Sequence, residues 1–189
     1  MHRTPSRPHA RRAALALFAA LLAAFAFALS ACGSSEEETD AFEGEPIELG
    51  SLKFNVQLTR LLNPDDVEDK EYLAGQPDPP AGSSYLGVFL EVENEGDETV
   101  NLPSVEDMEI VDTTGAVFSP IDTDTVFGFP FGEPLLQGEA IPIVDSAAAS
   151  GPVNGAILIF LIDNSASENR PVELEISADG EQGQIELDL

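Results

Sequence analysis

The histidines and the cysteine of this chain limit the chemistry that it can carry out. Both histidines, His2 and His9, lie near the start of the sequence, and the single cysteine is Cys32. If the chain is cut before Cys32, the remaining protein has no imidazole, which is the commonest general base and the commonest side-chain metal ligand. Ser-His-Asp and Cys-His catalysis are then excluded, as are zinc or copper sites built on histidine. We therefore expect no enzyme, no catalytic residue and no cofactor.

Carboxylates are the one reactive group that the chain has in quantity. All 35 Asp and Glu residues follow Cys32. Paired carboxylates can hydrolyse a glycoside, but with so many acids any two of them are no signal. Calcium also takes carboxylate oxygens, and the candidates for it are Asp65, Asp66, Glu68, Asp69, Asp122 and Asp124. The first four lie together in one long loop, and the last two form a separate pair. Because neither set has the spacing of an EF-hand, we expect solvated acidic loops and no metal site.

The charge of the chain after Cys32 is strongly negative. Four Lys and Arg residues stand against 35 acidic ones there, a formal side-chain charge of −31. Nucleic acid binding depends on contacts from Lys and Arg to phosphate, so we expect no nucleic acid partner. The acidity is typical of a soluble, self-repelling protein. The alternative interpretation is that it attracts a cation or a basic partner.

Three phenylalanines in residues 125–134, TVFGFPFGEP, are candidates for contact with a partner. Phe127, Phe129 and Phe131 are spaced two apart, which would align them on one face of a strand. Glycine and proline between them favour an extended loop or an edge. One interpretation is that the rings close an end of the core, because Phe side chains are usually buried. The other is an exposed aromatic patch with an acidic rim that binds a partner.

The amino-terminal segment has the layout of a secretory signal peptide. Four arginines precede an uncharged apolar run at residues 13–29, AALALFAALLAAFAFAL. A helix that spans a membrane needs ~20 apolar residues, so this run is short for a retained anchor. The arginine pair at residues 11–12, just before this run, is also compatible with export by the twin-arginine route instead of the general secretory route.

The four residues Leu29, Ser30, Ala31 and Cys32 resemble the bacterial lipobox. The resemblance implies transfer of a diacylglyceryl group to the Cys32 thiol and cleavage after Ala31. It also implies a mature chain held by lipid on the extracytoplasmic face of the cell membrane. The alternative is a secreted or anchored chain in which Cys32 is unmodified.

The elements that must position these residues divide the chain into three parts. Residues 1–31 form the expected signal peptide, and residues 32–45 an acidic flexible tether with little to bury. Residues 46–189 form the folded domain. Period-two alternation predicts strands near residues 52–58, 85–93, 172–176 and 184–189, and the apolar run at 155–162 predicts a buried strand. Residues 63–84 read as a long connection, and no segment has a helical pattern.

Short strands separated by turn signals predict an all-β sandwich or barrel. A strand ending in N-x-G at Asn94 and Gly96 is followed by D-x-x-G at Asp112 and Gly115, before the aromatic Phe118. This pattern resembles the core of a family of telokin-like, Ig-like bacterial extracellular domains. The resemblance implies an Ig-like antiparallel β-sandwich and offers no catalytic residue.

The expected function is that of a membrane-anchored, non-catalytic binding or interaction module of the cell envelope. Its expected partners are the membrane, through lipid on Cys32, and an envelope protein or ligand that the sequence does not name. One alternative is a structural spacer without a specific ligand. The other is an acidic sandwich module that binds calcium.

Overall fold

The computed structural model describes residues 39–189, in which two sheets enclose a common apolar core. The order of strands in the first, sheet A, is β1 (Thr39–Phe42), β13 (Glu181–Leu187), β12 (Val172–Ala178), β6 (Met108–Asp112) and β7 (Val117–Phe118). The order in the second, sheet B, is β2 (Ile47–Leu49), β3 (Leu52–Leu62), β4 (Ser83–Asn94), β11 (Ala156–Asp163) and β8 (Pro120–Ile121). In addition, β10 (Ala140–Ile141) pairs with the end of β4, and β5 (Val100–Asn101) pairs with β9 (Pro134–Leu135). The predicted β-sandwich is confirmed.

Alternating strands bury one face each in the core between the sheets. Along β12, Val172, Leu174 and Ile176 are at most 1% exposed, while the glutamates between them lie on the outer face. Their neighbours across the pair include Ile185 of β13. Burial of this kind is worth roughly 1.5–3 kcal/mol for each large apolar side chain, so the period-two pattern both predicts and stabilises the sheet.

A bulge in β3 divides the outer face of sheet B into two halves. The pairing of β3 with β4 shifts between Val56 and Leu58, and Gln57 is the extra residue. Thr59 rather than Leu58 therefore points into the main core, where it is 4% exposed. Because a bulge reverses the side on which later residues lie, Leu58 and Leu62 point to the outer face.

These outward apolar residues form a second core on sheet B. It contains Leu62, Tyr85, Phe89, Ile157 and Ile159, and residues 63–82 cover it with Tyr72 and Leu73. This cover explains why β4 and β11 are apolar on both faces, as expected for central strands. The connection predicted at residues 63–84 is thus a packed lid over a second core.

Two short helices correct the expectation that the domain has none. They are α1 (Asp69–Tyr72), which lies in the cover of the second core, and α2 (Ala147–Ser150). A 3-10 turn also occupies Val105–Asp107. Four residues make little more than one helical turn, so their sequences cannot display a 3.6-residue period.

The N-x-G motif is a structural turn. Asn94 is fully buried, and its Nδ2 donates to the carbonyl oxygens of Glu98 (2.8 Å) and Leu135 (3.0 Å). Its Oδ1 accepts from the Gly96 amide at 3.0 Å. A Cβ at Gly96 would lie 2.6 Å from the Cβ of Ser51, which leaves no room for a larger residue. Both motif residues therefore hold the end of β4 against its neighbours.

The D-x-x-G motif closes the turn between β6 and β7. Asp112 Oδ1 accepts from the Thr114 amide (2.8 Å), the Thr114 hydroxyl (2.6 Å) and the Ala116 amide (3.0 Å). Its Oδ2 accepts from Asn169 at 3.1 Å. These bonds, first of all the one from the Thr114 hydroxyl, lower the pKa of Asp112 to about 2. Gly115 has a φ of 81°, which favours glycine.

The folded domain begins before Pro46, within the segment expected to be a tether. Strand β1 pairs in parallel with β13, and Ala41 is 8% exposed in the main core. The carboxylate of Glu43 then joins the two sheets, because it accepts from the Thr59 amide at 3.0 Å and the Asp188 amide at 3.1 Å. An acidic stretch with one small buried residue does not look like a strand, and its partners are remote in sequence.

Candidate functional site

A cleft of about 610 Å³ opens on the outer face of sheet B. Outward side chains of β3 and β4 line its floor: Lys53, Asn55, Glu91 and Glu93. Residues 140–154 supply the rest of the lining, including Ile141, Pro142, Val144, Asp145 and Asn154. We call this feature the sheet B cleft.

The bulge at Gln57 explains why this half of the face is open. Before the bulge, the outward positions of β3 are polar, at Lys53 and Asn55, and they pair with Glu93 and Glu91 of β4. Beyond the bulge, Leu58 and Leu62 belong to the second core, and Arg60 between them pairs with Asp69 of its cover. Polar groups resist burial unless they are hydrogen-bonded, so the cover ends where the polar positions begin.

Lys53 is the one basic residue of the cleft, and it is already paired. Its Nζ donates to Glu95 Oε1 at 2.8 Å. This hydrogen bond, the charge of Glu95, and more weakly Glu93 and Glu48, raise the pKa of Lys53. Lys53 therefore stays protonated, and its charge is balanced by Glu95, which does not line the cleft.

Two amides hold the Glu91 carboxylate on the floor. Gln57 Nε2 donates to Glu91 Oε2 at 3.1 Å, and Asn154 Nδ2 donates to Glu91 Oε1. The second bond ties residues 140–154, which we call the wall of the cleft, to its floor. Beside them, Asn55 Oδ1 is buried without a hydrogen-bond partner.

The wall is anchored at its base and exposed at its rim. Ala148 of α2 is 5% exposed, and its carbonyl oxygen accepts from the Gly155 amide at 3.3 Å. At the rim, Ile143 is 66% exposed and Val144 is 81% exposed. Asp145 follows them with a φ of 66°, a conformation that few residues other than glycine, asparagine and aspartate adopt readily. The rim thus presents a branched apolar pair next to a carboxylate.

The chemistry of the cleft is that of a hydrogen-bond acceptor. Glu91, Glu93 and Asp145 contribute three carboxylates, against one lysine that is paired elsewhere. Residues 39–189 contain no histidine and no cysteine. Within that range no group of three or more potential ligands lies close enough to hold a metal ion. Such a lining suits a ligand that donates hydrogen bonds and carries positive charge.

The phenylalanine segment does not form an exposed patch, which corrects one of the two interpretations of its spacing. Phe129 is 3% exposed in the main core, with the ring of Phe131 5.1 Å away. Phe127 packs against the second core, 5.0 Å from the ring of Tyr72. A turn, in which the Gly128 amide donates to the carbonyl oxygen of Thr125 at 3.0 Å, breaks the period of two. The rings therefore fill both cores and do not share one face.

The calcium candidates serve as turn residues or lie apart. Asp66 Oδ1 accepts from the Glu68 amide at 2.9 Å, and Asp69 pairs with Arg60. Asp65, Asp122 and Asp124 are exposed. None of these residues belongs to a group of three potential ligands among residues 39–189.

The lipidation site lies outside the described residues, as do Leu29, Ser30 and Ala31. Within residues 39–189, no helix is both long and apolar enough to cross a membrane. The cleft residues were not singled out from the sequence. The signal that could have identified them is the polar character of the outward positions on two strands that pair.

No protein-family model matches this chain, and no curated protein does either. It is similar to three solved structures: a secreted protein, an uncharacterized β-sandwich protein and a lipoprotein candidate. The secreted protein MPT63 of Mycobacterium tuberculosis is 14% identical, with a TM-score of 0.49 over 80% of this chain and 99% of that one. An uncharacterized β-sandwich protein of Clostridium difficile is 13% identical, with a TM-score of 0.48 over 82% of this chain and 98% of that one.

The third structure is the lipoprotein candidate YcdA of Bacillus subtilis, which is 12% identical with a TM-score of 0.47. The alignment covers 77% of this chain and 38% of YcdA. At these values each likeness concerns the fold alone, and none of them bears on ligand or activity.

Proposed function

We propose that this chain is a lipid-anchored, extracytoplasmic binding module with an Ig-like, telokin-like domain, and that the sheet B cleft is its binding site. The observation that carries the proposal is the cleft itself. There two paired strands of sheet B present polar side chains that the domain leaves uncovered, although it covers the other half of the same face.

The rigidity of the cleft supports a binding role. Its floor lies on two long strands paired over most of their length, and Glu91 is held by the amides of Gln57 on β3 and Asn154 in the wall. Groups that are fixed before a ligand arrives lose little conformational entropy on binding. A spacer protein would have no need of such preorganised acceptors.

The available chemistry supports a module without catalysis. The floor offers carboxylates, amides and a paired lysine, with no imidazole or thiol in residues 39–189. A general acid or base near neutral pH usually needs a strongly shifted pKa. The pKa of Lys53 is raised, first by its hydrogen bond to Glu95, which keeps that lysine protonated.

The position of Cys32 supports attachment close to a membrane. It precedes Thr39, the first described residue, by seven positions, so a fully extended chain of that length reaches at most ~25 Å. Two or more acyl chains on Cys32 would hold the module durably, since each buried CH₂ is worth ~0.8 kcal/mol. The negative charge of the domain argues against nucleic acid as a partner.

A capture experiment in whole cells tests the proposal. We expect the wild-type chain to be found in the membrane fraction with a mass that includes lipid, and Cys32→Ser to lose both properties. After cross-linking, we expect wild type to bring down a partner that the variant Glu93→Gln/Asp145→Asn does not. Asn tolerates the positive φ of Asp145, so this variant removes charge with little change of shape.

The matched control is Glu168→Gln/Glu181→Gln, which removes the same charge from exposed positions outside the cleft. It should capture the partner as wild type does. Equal capture by the cleft variant would overturn the proposal and favour a spacer or a different surface.

A further inference from the structure

We infer that the sheet B cleft receives a basic side chain, with arginine the best fit, from an extended and apolar-flanked peptide segment of a partner protein. The inference rests on the proposed function and names the ligand class of its cleft. Four features of the described residues carry it: an excess of negative charge, an apolar rim, the size of the cleft and the geometry of its acceptors.

The charge of the lining is negative in sum. Glu91, Glu93 and Asp145 all line the cleft, and the only basic residue among the lining residues is Lys53. Its ammonium group is held by Glu95, which lies outside the lining. Three carboxylates against one lysine leave the lining with an excess of negative charge, although Lys53 also interacts with the Glu93 opposite it. Charge complementarity of this kind selects the sign of a partner.

The rim adds an apolar surface that a free inorganic cation would not use. Ile143 and Val144 are among the most exposed large apolar side chains of residues 39–189. They lie directly before Asp145, and Val144 lines the cleft. An exposed apolar group beside polar residues marks an interaction site. The aliphatic stem of arginine, with an apolar neighbour in the peptide, would contact this pair while its charged head reaches the carboxylates.

The size of the cleft also favours a peptide. A volume of about 610 Å³ lies in the range of sites that take a drug-sized ligand, ~300–1,000 Å³. A single ammonium or metal ion would leave most of this space empty. A basic residue with one neighbour on each side would occupy both the floor and the rim.

The acceptors of the floor suit a guanidinium group. Glu91 and Glu93 are two positions apart on β4 and so point to the same side of sheet B. Arginine presents five donors in a planar fork that pairs with carboxylates through two hydrogen bonds. Lysine offers three donors from a compact ammonium group and would bind the same acceptors with less directional fit.

A titration with short peptides tests the inference. The protein is the mature chain carrying Cys32→Ser, labelled with ¹⁵N, and the probes are acetyl-Val-Arg-Val-amide and its Gln and Glu counterparts. We expect saturable shifts of the Asn55 and Asn154 side-chain amides and of residues 140–154 with the arginine peptide only. We expect added salt to weaken these shifts, because the pairs are near solvent.

Two variants make the result specific to the cleft. Glu93→Gln/Asp145→Asn should raise the dissociation constant of the arginine peptide by about threefold to thirtyfold, as for the loss of two exposed charge pairs. Glu168→Gln/Glu181→Gln should leave it unchanged. Matching amide spectra of the free proteins would establish that both variants are folded.

The outcomes separate the ligand class from the proposed function. No saturation with the arginine peptide, or equal shifts with the glutamine peptide, would overturn the inference. If partner capture in cells still depended on Glu93 and Asp145, the proposed function would stand without it. Loss of that dependence would overturn the proposed function independently of the titration.

Discussion

Arg60 and Asp69 form an ion pair that fastens the cover of the second core to sheet B. Asp69 is 2% exposed, and its Oδ1 meets the Arg60 guanidinium while its Oδ2 accepts from the Asn63 amide at 2.8 Å. The guanidinium carbon also lies 5.8 Å from the centre of the Phe89 ring. One carboxylate therefore closes the loop that follows β3 and holds α1 in place.

Removal of this carboxylate should loosen the whole cover. We expect Asp69→Ala to lower the free energy of unfolding by about 2 kcal/mol, because the Arg60 guanidinium and the Asn63 amide lose a charged hydrogen-bond acceptor. Urea denaturation would measure the change. Asp65→Ala, an exposed position in the same segment, is the control and should stay within about 0.5 kcal/mol of wild type. Equal effects of the two variants would contradict the role of the pair.

Phe129 should behave as a core residue. We expect Phe129→Ala to cost about 3–5 kcal/mol of stability, because it opens a cavity in the main core. The neighbouring Val126 is 73% exposed, so Val126→Ala should change stability by less than about 0.5 kcal/mol. Thermal and urea unfolding would measure both. An unchanged melting temperature for Phe129→Ala would return the segment to the partner-binding interpretation.

The Asp112 turn should make part of the stability depend on pH. Because the folded state holds the pKa of Asp112 at about 2, below the ~3.9 of an unfolded chain, the charged carboxylate stabilises the fold. That contribution is fully present above about pH 4 and is lost as the pH falls through about 2. The difference in unfolding free energy between wild type and Asp112→Ala should therefore shrink between pH 5 and pH 2. A difference that stays constant over this interval would refute the assignment.

Sheet A carries glutamates directly opposite each other on its outer face. Glu173 of β12 pairs in register with Glu186 of β13, and like charges in such positions are destabilising. We expect Glu173→Lys to raise the free energy of unfolding by about 0.5 kcal/mol. The control is Glu181→Lys, which changes the net charge equally but faces Ala178. If both variants gain the same stability, net charge and not the cross-strand pair is the cause.

The strands that could be predicted from the sequence are those whose own residues alternate. β12 and most of β4 show their buried faces in their own sequence, whereas β1 is held by pairing with β13, which is remote in the chain. The bulge at Gln57 could not be predicted either, because it is a matter of register with β4. For the same reason residues 63–82 read as a loop and not as the cover of a second core.

The candidate site could not be predicted for the same reason: it depends on strand pairing between residues that are remote in sequence. Lys53 and Asn55 are ordinary outward residues until β4 places Glu93 and Glu91 opposite them. The wall at residues 140–154 reaches the floor through Asn154, about sixty positions after Glu91. The phenylalanine spacing was conspicuous in the sequence. A turn before Phe129 nevertheless directs Phe127 to the second core, whereas Phe129 and Phe131 pack in the main core.

The central claim is that partners bind at the sheet B cleft, and a photo-cross-linker at its rim tests this most directly. A photoreactive phenylalanine analogue at Val144, 81% exposed on the rim, would be compared in living cells with the same analogue at Val117, 54% exposed on sheet A. We predict a discrete cross-linked species of higher mass for position 144, absent for position 117 and lost with Glu93→Gln/Asp145→Asn. Cross-linking that is absent at position 144, or equal at both positions, would contradict the account.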